Sequence, residues 1–300
     1  DNAWKMGGSQ VFLATGEEQS VESLLKSIII SSGNDASVAL AEHLMGSENN
    51  FVKKMNERAK ELGMENTNFT NSHGLHNDNH YTTSHDTAIV ARELLKHKKI
   101  FEWSTIMLDY LEHTDKDRPA TMLANTNKLI RWYQGADGLK TGSHSKANSC
   151  IAATAIRNNL RLISVILNAP DSNTRFMEAA KLLDYGFENY ESIPILTKGE
   201  TVDKLNIEKG QEERVNILAE GDLTILVEKG KKDSIKRKTV IPSKVTAPIK
   251  KGQKLGEIII YNHRNKRINS INLIAEKDID KANIIFITKK LFLELIKQLN

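Results

Sequence analysis

The sequence predicts an α+β domain, followed by a small all-β domain and a C-terminal amphipathic helix. Helical periodicity dominates the chain up to residue 191, where it is interrupted by two β-prone apolar runs. It disappears over residues 192–282, where short apolar runs alternate with turns rich in Gly, Pro and Lys. It then returns over residues 283–300. The predicted division is therefore 1–191, 192–282 and 283–300.

The composition is that of a folded globular protein. Of its 300 residues, 39% are hydrophobic and 27% are charged, which excludes a disordered chain. A single cysteine, Cys150, excludes an internal disulfide. No run of eighteen apolar residues occurs, so no transmembrane helix is predicted.

The charge is distributed unevenly along the chain. Residues 191–300 hold 22 Lys and Arg against 15 Asp and Glu, a net charge of +7. The other residues hold 20 against 23, a net charge of −3, and the whole chain carries +4. A basic distal part favours an anionic partner surface, with ordinary solubilising charge as the alternative.

Three helices are predicted in the first 62 residues. Ser20 is placed to cap a helix over residues 21–30, and a second helix runs over residues 35–46. Ser47 caps a third helix, in which apolar residues recur at helical spacing over residues 48–62.

The rest of the first domain mixes helices with a β-hairpin. Thr83 and Asp86 form a capping box for the next helix. Two apolar, β-prone runs joined by Asn158-Asn159 predict the hairpin. A helix over residues 175–190 closes the domain, so helices should pack on an antiparallel sheet.

Two polar motifs stand beside apolar elements. Ser32–Asn34 lies between the first two helices, and Lys140–Gly142 lies about a hundred residues later, before the hairpin. A Ser32 hydroxyl can pass protons, while an Asn34 amide can hold a substrate amide in register. Motifs of the types Ser-x-Asn and Lys-Thr-Gly, in this order, are two of the three parts of the active site in penicillin-binding proteins and serine β-lactamases.

Around these motifs the sequence resembles the low-molecular-mass D-alanyl-D-alanine carboxypeptidases, most of all the Gram-positive, spore-former type. The resemblance covers almost the whole chain, with segments in family order that include SVESLLKSIIISSGNDASVALAEHLMGS, FVKKMNERAKELGMENTNF, HYTTSHD, NTNKLIRWYQGADGLKTGS and KLLDYGF. It implies a penicillin-binding/β-lactamase-like fold for residues 1–191, incomplete at its N-terminus. A small β-sandwich-like domain and a membrane anchor helix should follow.

The resemblance also implies a function. The protein should be a serine-type carboxypeptidase that removes the terminal D-Ala from peptidoglycan stem pentapeptides and is inhibited by β-lactams. Ser32 and Asn34 would be catalytic residues, and Lys140, Thr141 and Gly142 would bind the substrate. The family implies no cofactor, no metal and no nucleic-acid partner, and it places the protein on the outer face of the cytoplasmic membrane.

One part of the family pattern has no convincing match. In the family, a Ser-x-x-Lys motif well upstream of Ser-x-Asn supplies the nucleophile and its base. Ser23 and Lys26 match the motif formally, but Ser23 precedes Ser32 by only nine residues in one helical segment, about 13 Å along a helix axis. We therefore expect the nucleophile to lie before Asp1. A catalytically inactive peptidoglycan-binding relative stays open as an alternative.

Four histidines suggest a rival chemistry. His73, His76, His80 and His85 crowd one loop and the helix start after it, and such spacing can bind zinc. A zinc D,D-peptidase is therefore a second alternative, although the sequence contains no H-E-x-x-H pattern. His144 follows the Lys-Thr-Gly motif and should lie at the edge of the cleft, as a substrate contact or a solvated loop residue.

The last segment predicts an interfacial helix. Its lysines break any continuous apolar span, so it should lie on an anionic membrane surface instead of crossing the bilayer. Packing against the β domain is the alternative. The apolar stripe consists of Ile284, Ile287, Leu291, Leu295 and Leu299.

Overall fold

The computed structural model describes residues 2–232, 235–286 and 288. It divides into two compact units, Asp1–Glu188 and Asn189–Asn300, three residues before the predicted boundary. Most of the predicted terminal helix, 283–300, lies outside the described residues. Within the part that is described, no helix combines the length and the hydropathy needed to cross a bilayer.

Helices and strands alternate in the first unit. The described helices are α1 (Val21–Ser31), α2 (Asn34–Met45), α3 (Glu48–Glu61), α4 (Ser84–Leu94), α5 (Ile100–Ser104) and α6 (Ser172–Asn189). The described strands are β1 (Leu108–Leu111), β2 (Thr121–Ala124), β3 (Ala136–His144), β4 (Asn148–Arg157) and β5 (Leu160–Ala169). The predicted α+β class is confirmed.

Local capping explains where three of the helices begin. The hydroxyls of Ser20, Ser47 and Thr83 each accept the backbone N–H three residues later, at 3.0, 3.2 and 3.1 Å. Only one half of the predicted capping box is present, the hydrogen bond to the Thr83 hydroxyl. The Asp86 carboxylate accepts the Asn66 N–H at 2.9 Å and thus holds the preceding loop, because a buried carboxylate takes the donors that folding brings to it.

The main sheet of this unit is antiparallel, in the order β3-β4-β5. The β4–β5 turn lies at Asn158 and Asn159, whose φ angles of 48° and 61° suit a tight hairpin. Lys140 pairs with Ala152 on β4, so the Lys-Thr-Gly motif lies on a strand at the edge of this sheet. A substrate can therefore approach the motif from the free side of β3.

The second unit is all β among its described residues. Its strands are β6 (Tyr190–Leu196), β7 (Thr201–Glu208), β8 (Arg214–Ala219), β9 (Leu223–Glu228), β10 (Lys236–Val240), β11 (Lys244–Thr246), β12 (Lys254–Tyr261) and β13 (Arg267–Ala275). Six form one sheet in the order β10-β12-β13-β8-β7-β11, and β6 pairs with β9 in a second sheet.

The two sheets of the second unit enclose one apolar core. Side chains alternate along β9, where Leu223, Ile225 and Val227 are buried and the residues between them are exposed. They pack with Ile258 and Leu273 from the larger sheet, both 0% exposed. This two-layer packing is the sandwich that the alternating pattern predicts.

A buried carboxylate fixes the first residues of the chain onto α2. Asp35, 0% exposed, accepts the Val11 N–H at 3.0 Å and the Leu13 N–H at 3.1 Å. Val11 is itself fully buried. These bonds satisfy backbone donors that no helix or strand pairs, and they hold the segment that leads into the cleft described below.

Asp35→Ala should lower the free energy of unfolding by about 2–4 kcal/mol, because two backbone N–H groups would be left unpaired inside the unit. Asp171→Ala is the matched control, since that carboxylate accepts exposed N–H groups at the start of α6 and should cost only about 1 kcal/mol. Urea denaturation measures both. Equal losses in the two variants would contradict this role for Asp35.

Candidate active site

All five predicted site residues line one cleft in the first unit. The cleft has a volume of about 700 Å³ and lies between the α1–α2 connection, the loop around residues 69–80, and β3. Residues from these walls and from the first segment of the chain surround it, including Gly8, Ser9, Ser32, Asn34, Phe69, His73, His80, Thr126, Lys140, Thr141, Gly142, Ser143 and Arg175.

The two motifs meet at Ser32 and Lys140. Ser32 ends α1 in a left-handed conformation, with φ of 60°, and its Oγ accepts a hydrogen bond from Lys140 Nζ. The same ammonium also donates to the Thr141 carbonyl at 2.7 Å. Residues 108 positions apart in sequence are therefore in direct contact through a hydroxyl and an amine, a pair that can exchange a proton.

Lys140 has a strongly perturbed pKa. Burial of the ammonium, together with repulsion from Arg175, lowers the pKa of Lys140 from 10.5 to about 8. A lysine with this pKa is partly neutral near physiological pH. It can then accept a proton as well as donate one, which an ordinary surface lysine does not do.

Asn34 lies at the start of α2 and is 7% exposed. Its Nδ2 donates to the Gly7 carbonyl at 2.7 Å, and its backbone N–H donates to the Ser9 carbonyl at 2.8 Å. Gly8 must be glycine here, because its φ is +78° and a Cβ would lie 2.7 Å from Asn34 Nδ2. The Asn34 amide is thus oriented by backbone.

Thr141 and Gly142 complete the strand side of the cleft. The Thr141 hydroxyl donates to Thr126 Oγ1 at 2.7 Å, which ties β3 to the segment after β2. A Cβ at Gly142 would meet nothing within 4 Å, so the glycine is not required by packing. It leaves the strand backbone open to an extended ligand.

Arg175 is a site residue that sequence reasoning missed. It lies on α6, is 8% exposed, and its Nη1 donates to the carbonyls of Gly142 at 3.1 Å and Cys150 at 3.3 Å. Burial lowers its pKa, and its buried Nε has no hydrogen-bond partner among the described residues. No local motif marks this arginine, because only the packing of α6 on the sheet brings it beneath Gly142.

The four loop histidines do not converge on one point. His80 Nδ1 lies 3.2 Å from Thr70 Oγ1, and His73 lies near Glu48, while His85 is on the exposed start of α4. Burial lowers the pKa of His73 and of His80. Across the described residues, no three His, Cys, Asp or Glu side chains are grouped to hold a metal ion.

His144 and His76 follow Ser143 and Leu75, two residues that line the cleft. The two histidine rings are in contact, with centroids 5.6 Å apart.

The formal Ser-x-x-Lys match in α1 does not reach the cleft. Ser23 Oγ lies 2.8 Å from Ser20 Oγ in the cap of α1, and Lys26 forms an ion pair with Asp109 at 3.1 Å. A second formal match, Ser143 to Lys146, spans the end of β3 and the turn after it. It is not on a helix, so its lysine is not held one turn from its serine.

This arrangement defines the class of penicillin-recognising serine enzymes, in which a Ser-x-Asn connection between helices faces a Lys-Thr-Gly edge strand. Residues 1–171 match the family model for D-alanyl-D-alanine carboxypeptidase (peptidase S11). Residues 190–281 match the C-terminal domain of penicillin-binding protein 5. The chain therefore belongs to the serine-type D-alanyl-D-alanine carboxypeptidase family.

Individual relatives agree with this assignment. The chain is 41% identical to D-alanyl-D-alanine carboxypeptidase DacF of Bacillus subtilis over 292 residues, 97% of this chain and 74% of that protein. It is 34% identical to DacA of Haemophilus influenzae over 295 residues, covering 95% and 72%. The crystal structure of penicillin-binding protein 5 from Haemophilus influenzae matches with a TM-score of 0.71 at 32% identity, covering 93% of this chain and 81% of that one.

The lowered pKa of Lys140 should make the free energy of unfolding depend on pH. Between about pH 8 and pH 10.5 the unfolded chain holds a proton that the folded protein has lost, so the folded state gains stability as the pH rises. The variant Lys140→Met lacks this effect. The free energy of unfolding of the variant minus that of the natural protein should be greatest at pH 7. This difference should fall by about 1–3 kcal/mol by pH 10. Urea denaturation across this range measures the difference, and a flat profile would contradict the lowered pKa.

Proposed function

We propose that the protein removes the C-terminal D-Ala from peptidoglycan stem pentapeptides through a serine acyl-enzyme, and that β-lactams are inhibitors that occupy the same cleft. The observation that carries the proposal is the contact between Ser32 and the half-buried Lys140 at the point where the cleft meets the β3 edge. The family assignment supports this substrate class.

In this proposal Ser32 and Lys140 form a proton relay. The pKa of Lys140, about 8, suits a group that must alternately hold and release a proton near neutral pH. The attack of a serine on the penultimate D-Ala carbonyl releases a proton, and the departing D-Ala amine takes one up. Ser32 is the hydroxyl through which Lys140 can reach the leaving group.

The other cleft residues position the substrate. Asn34 offers its amide oxygen to a substrate N–H, since its Nδ2 is already bonded to Gly7. Lys140 and Thr141 bind the terminal carboxylate, and the positive charge of Arg175 beneath Gly142 strengthens this site. The open β3 backbone at Gly142 pairs with the extended peptide.

The attacking serine is proposed to come from a Ser-x-x-Lys segment upstream of Asp1. Ser23 is a poor candidate for this role, because its hydroxyl contacts Ser20 in the α1 cap and Lys26 forms an ion pair with Asp109.

The protein is also proposed to act on the outer face of the cytoplasmic membrane, with residues 283–300 lying on the membrane surface.

A chain extended at its amino end through this segment should release D-Ala from a stem pentapeptide, and penicillin should block the release. Ser32→Ala should lower kcat/KM by about 10²–10⁴-fold, because the relay to the leaving group is lost. Ser145→Ala in the exposed turn after β3 is the matched control and should leave kcat/KM unchanged.

Three results would overturn the proposal. Release that resists penicillin but is abolished by a chelator would favour the zinc peptidase. An extended chain that binds stem peptide without releasing D-Ala would favour the inactive relative. A penicillin adduct on Ser23, found by mass spectrometry, would contradict the upstream nucleophile.

The surface anchor has a separate prediction. Deleting residues 284–300 should abolish sedimentation with anionic vesicles, since the apolar stripe and lysines worth about 1 kcal/mol each would be removed. The melting temperature should be nearly unchanged. The anchor proposal would be wrong if the deletion unfolds the second unit and the undeleted chain does not bind vesicles. The segment would then be part of the core.

A further inference from the structure

The second unit carries a strongly basic surface at one end. Residues 229–238 and 264–267 together hold nine Lys and Arg against one Asp. We name the described residues of these segments, 229–232, 235–238 and 264–267, the basic edge. They account for much of the positive charge of the distal part of the chain, and nothing in the carboxypeptidase cleft uses them.

The parts of the basic edge on β10 and at the β12–β13 turn lie side by side. β10 is an outer strand of the six-stranded sheet, and all five of its residues are exposed. Lys236 pairs in register with Tyr261 on β12, which in turn pairs with Arg267 on β13. Lys236 Nζ also donates to Asn265 Oδ1 at 3.1 Å, which joins the strand to the β12–β13 turn.

Only part of this charge is neutralised within the unit. Lys231, Lys232 and Arg267 form ion pairs with Glu228, Glu191 and Glu257. The other six basic residues form no ion pair with any residue that the structure describes, namely Lys229, Lys236, Arg237, Lys238, Arg264 and Lys266. Like charges held this close repel one another, so an anionic ligand that covers them is favoured.

The shape of the basic edge selects among anionic partners. Lys236 and Lys238 lie on the same face of an extended strand, about 7 Å apart, so the charges form a row and not a broad plane. A row fits a linear polymer. Tyr261 is the aromatic residue beside it and is half-buried, which does not favour the stacking of nucleic-acid bases.

The position of the edge argues against a lipid surface. The chain leaves the sheet near Lys281, which bridges to Gly210 beyond the far end of β8. The basic edge is at the other end of β12 and β13, at Tyr261 and Arg267. If residues 283–300 lie on a membrane, the basic edge is the end of the sheet that is farther from their point of attachment.

We propose that the basic edge binds a linear phosphodiester polymer without bases, such as a poly(alditol phosphate). Successive phosphates are met by Lys236, Lys238 and Lys266, with Arg264 in the same turn as Lys266. The binding is independent of the carboxypeptidase cleft.

The test is a titration of the 300-residue chain with a fluorescent poly(glycerol phosphate) oligomer, with uncharged dextran as the negative control. Binding should weaken steeply between about 50 and 300 mM salt, because exposed charges are screened. The triple variant Lys236→Gln, Lys238→Gln, Lys266→Gln should bind about tenfold or more weakly.

A matched variant separates the basic edge from net charge. Lys250→Gln, Lys251→Gln, Lys281→Gln removes the same charge from exposed positions at the opposite end of the sheet and should bind within about twofold of the natural chain. All six lysines are exposed, and unchanged melting temperatures would show that both variants are folded.

Four outcomes would overturn the proposal. The first is that the oligomer does not bind at low salt, and the second is that both triple variants lose affinity equally. The third is that vesicles of phosphatidylcholine and phosphatidylglycerol bind at least as tightly as the oligomer through the same three lysines. The fourth is the same result with a single-stranded DNA oligonucleotide.

Discussion

The contact between Lys140 and Ser32 is the constraint on which the site depends. It places an ammonium and a hydroxyl from distant parts of the chain in one half-buried position, where water no longer solvates the charge fully. Burial of this kind opposes folding and also shifts the pKa of Lys140 into the range useful for proton transfer. The core around it must therefore be stable enough to hold a group that would be better solvated outside.

The structure meets this requirement by anchoring both sides of the contact. Ile30, at the end of α1, is fully buried, and its carbonyl accepts the Thr126 N–H at 3.1 Å. The hydroxyl of Thr126 in turn accepts that of Thr141, beside Lys140. On the other flank, Asp35 fixes the segment whose Gly7 carbonyl orients Asn34. Each polar site residue is thus held by a partner whose own position is set by the core.

The two units use charge differently. In the first, Lys140 and Arg175 place two positive charges at the cleft, where desolvation lowers the pKa of both groups and repulsion from Arg175 lowers the pKa of Lys140 further. In the second, an apolar sandwich supports exposed lysines and arginines on the rim of a sheet. The positive charge of β10 and of the β12–β13 turn is therefore a surface property of the β unit and not a feature of its core.

The sequence by itself determined the features that depend on neighbours along the chain. Ser20, Ser47 and Thr83 cap helices because their hydroxyls reach N–H groups three residues away, and Asn158-Asn159 turns the hairpin because both residues tolerate positive φ. The Ser-x-Asn and Lys-Thr-Gly motifs could also be recognised from the sequence, since each is a short run of unusual residue types. Tertiary structure alone decided that Arg175 lies beneath Gly142, that Asp86 binds the preceding loop, and that the pKa of Lys140 is low. These depend on which surfaces pack together and which groups lose water, and no local pattern encodes either.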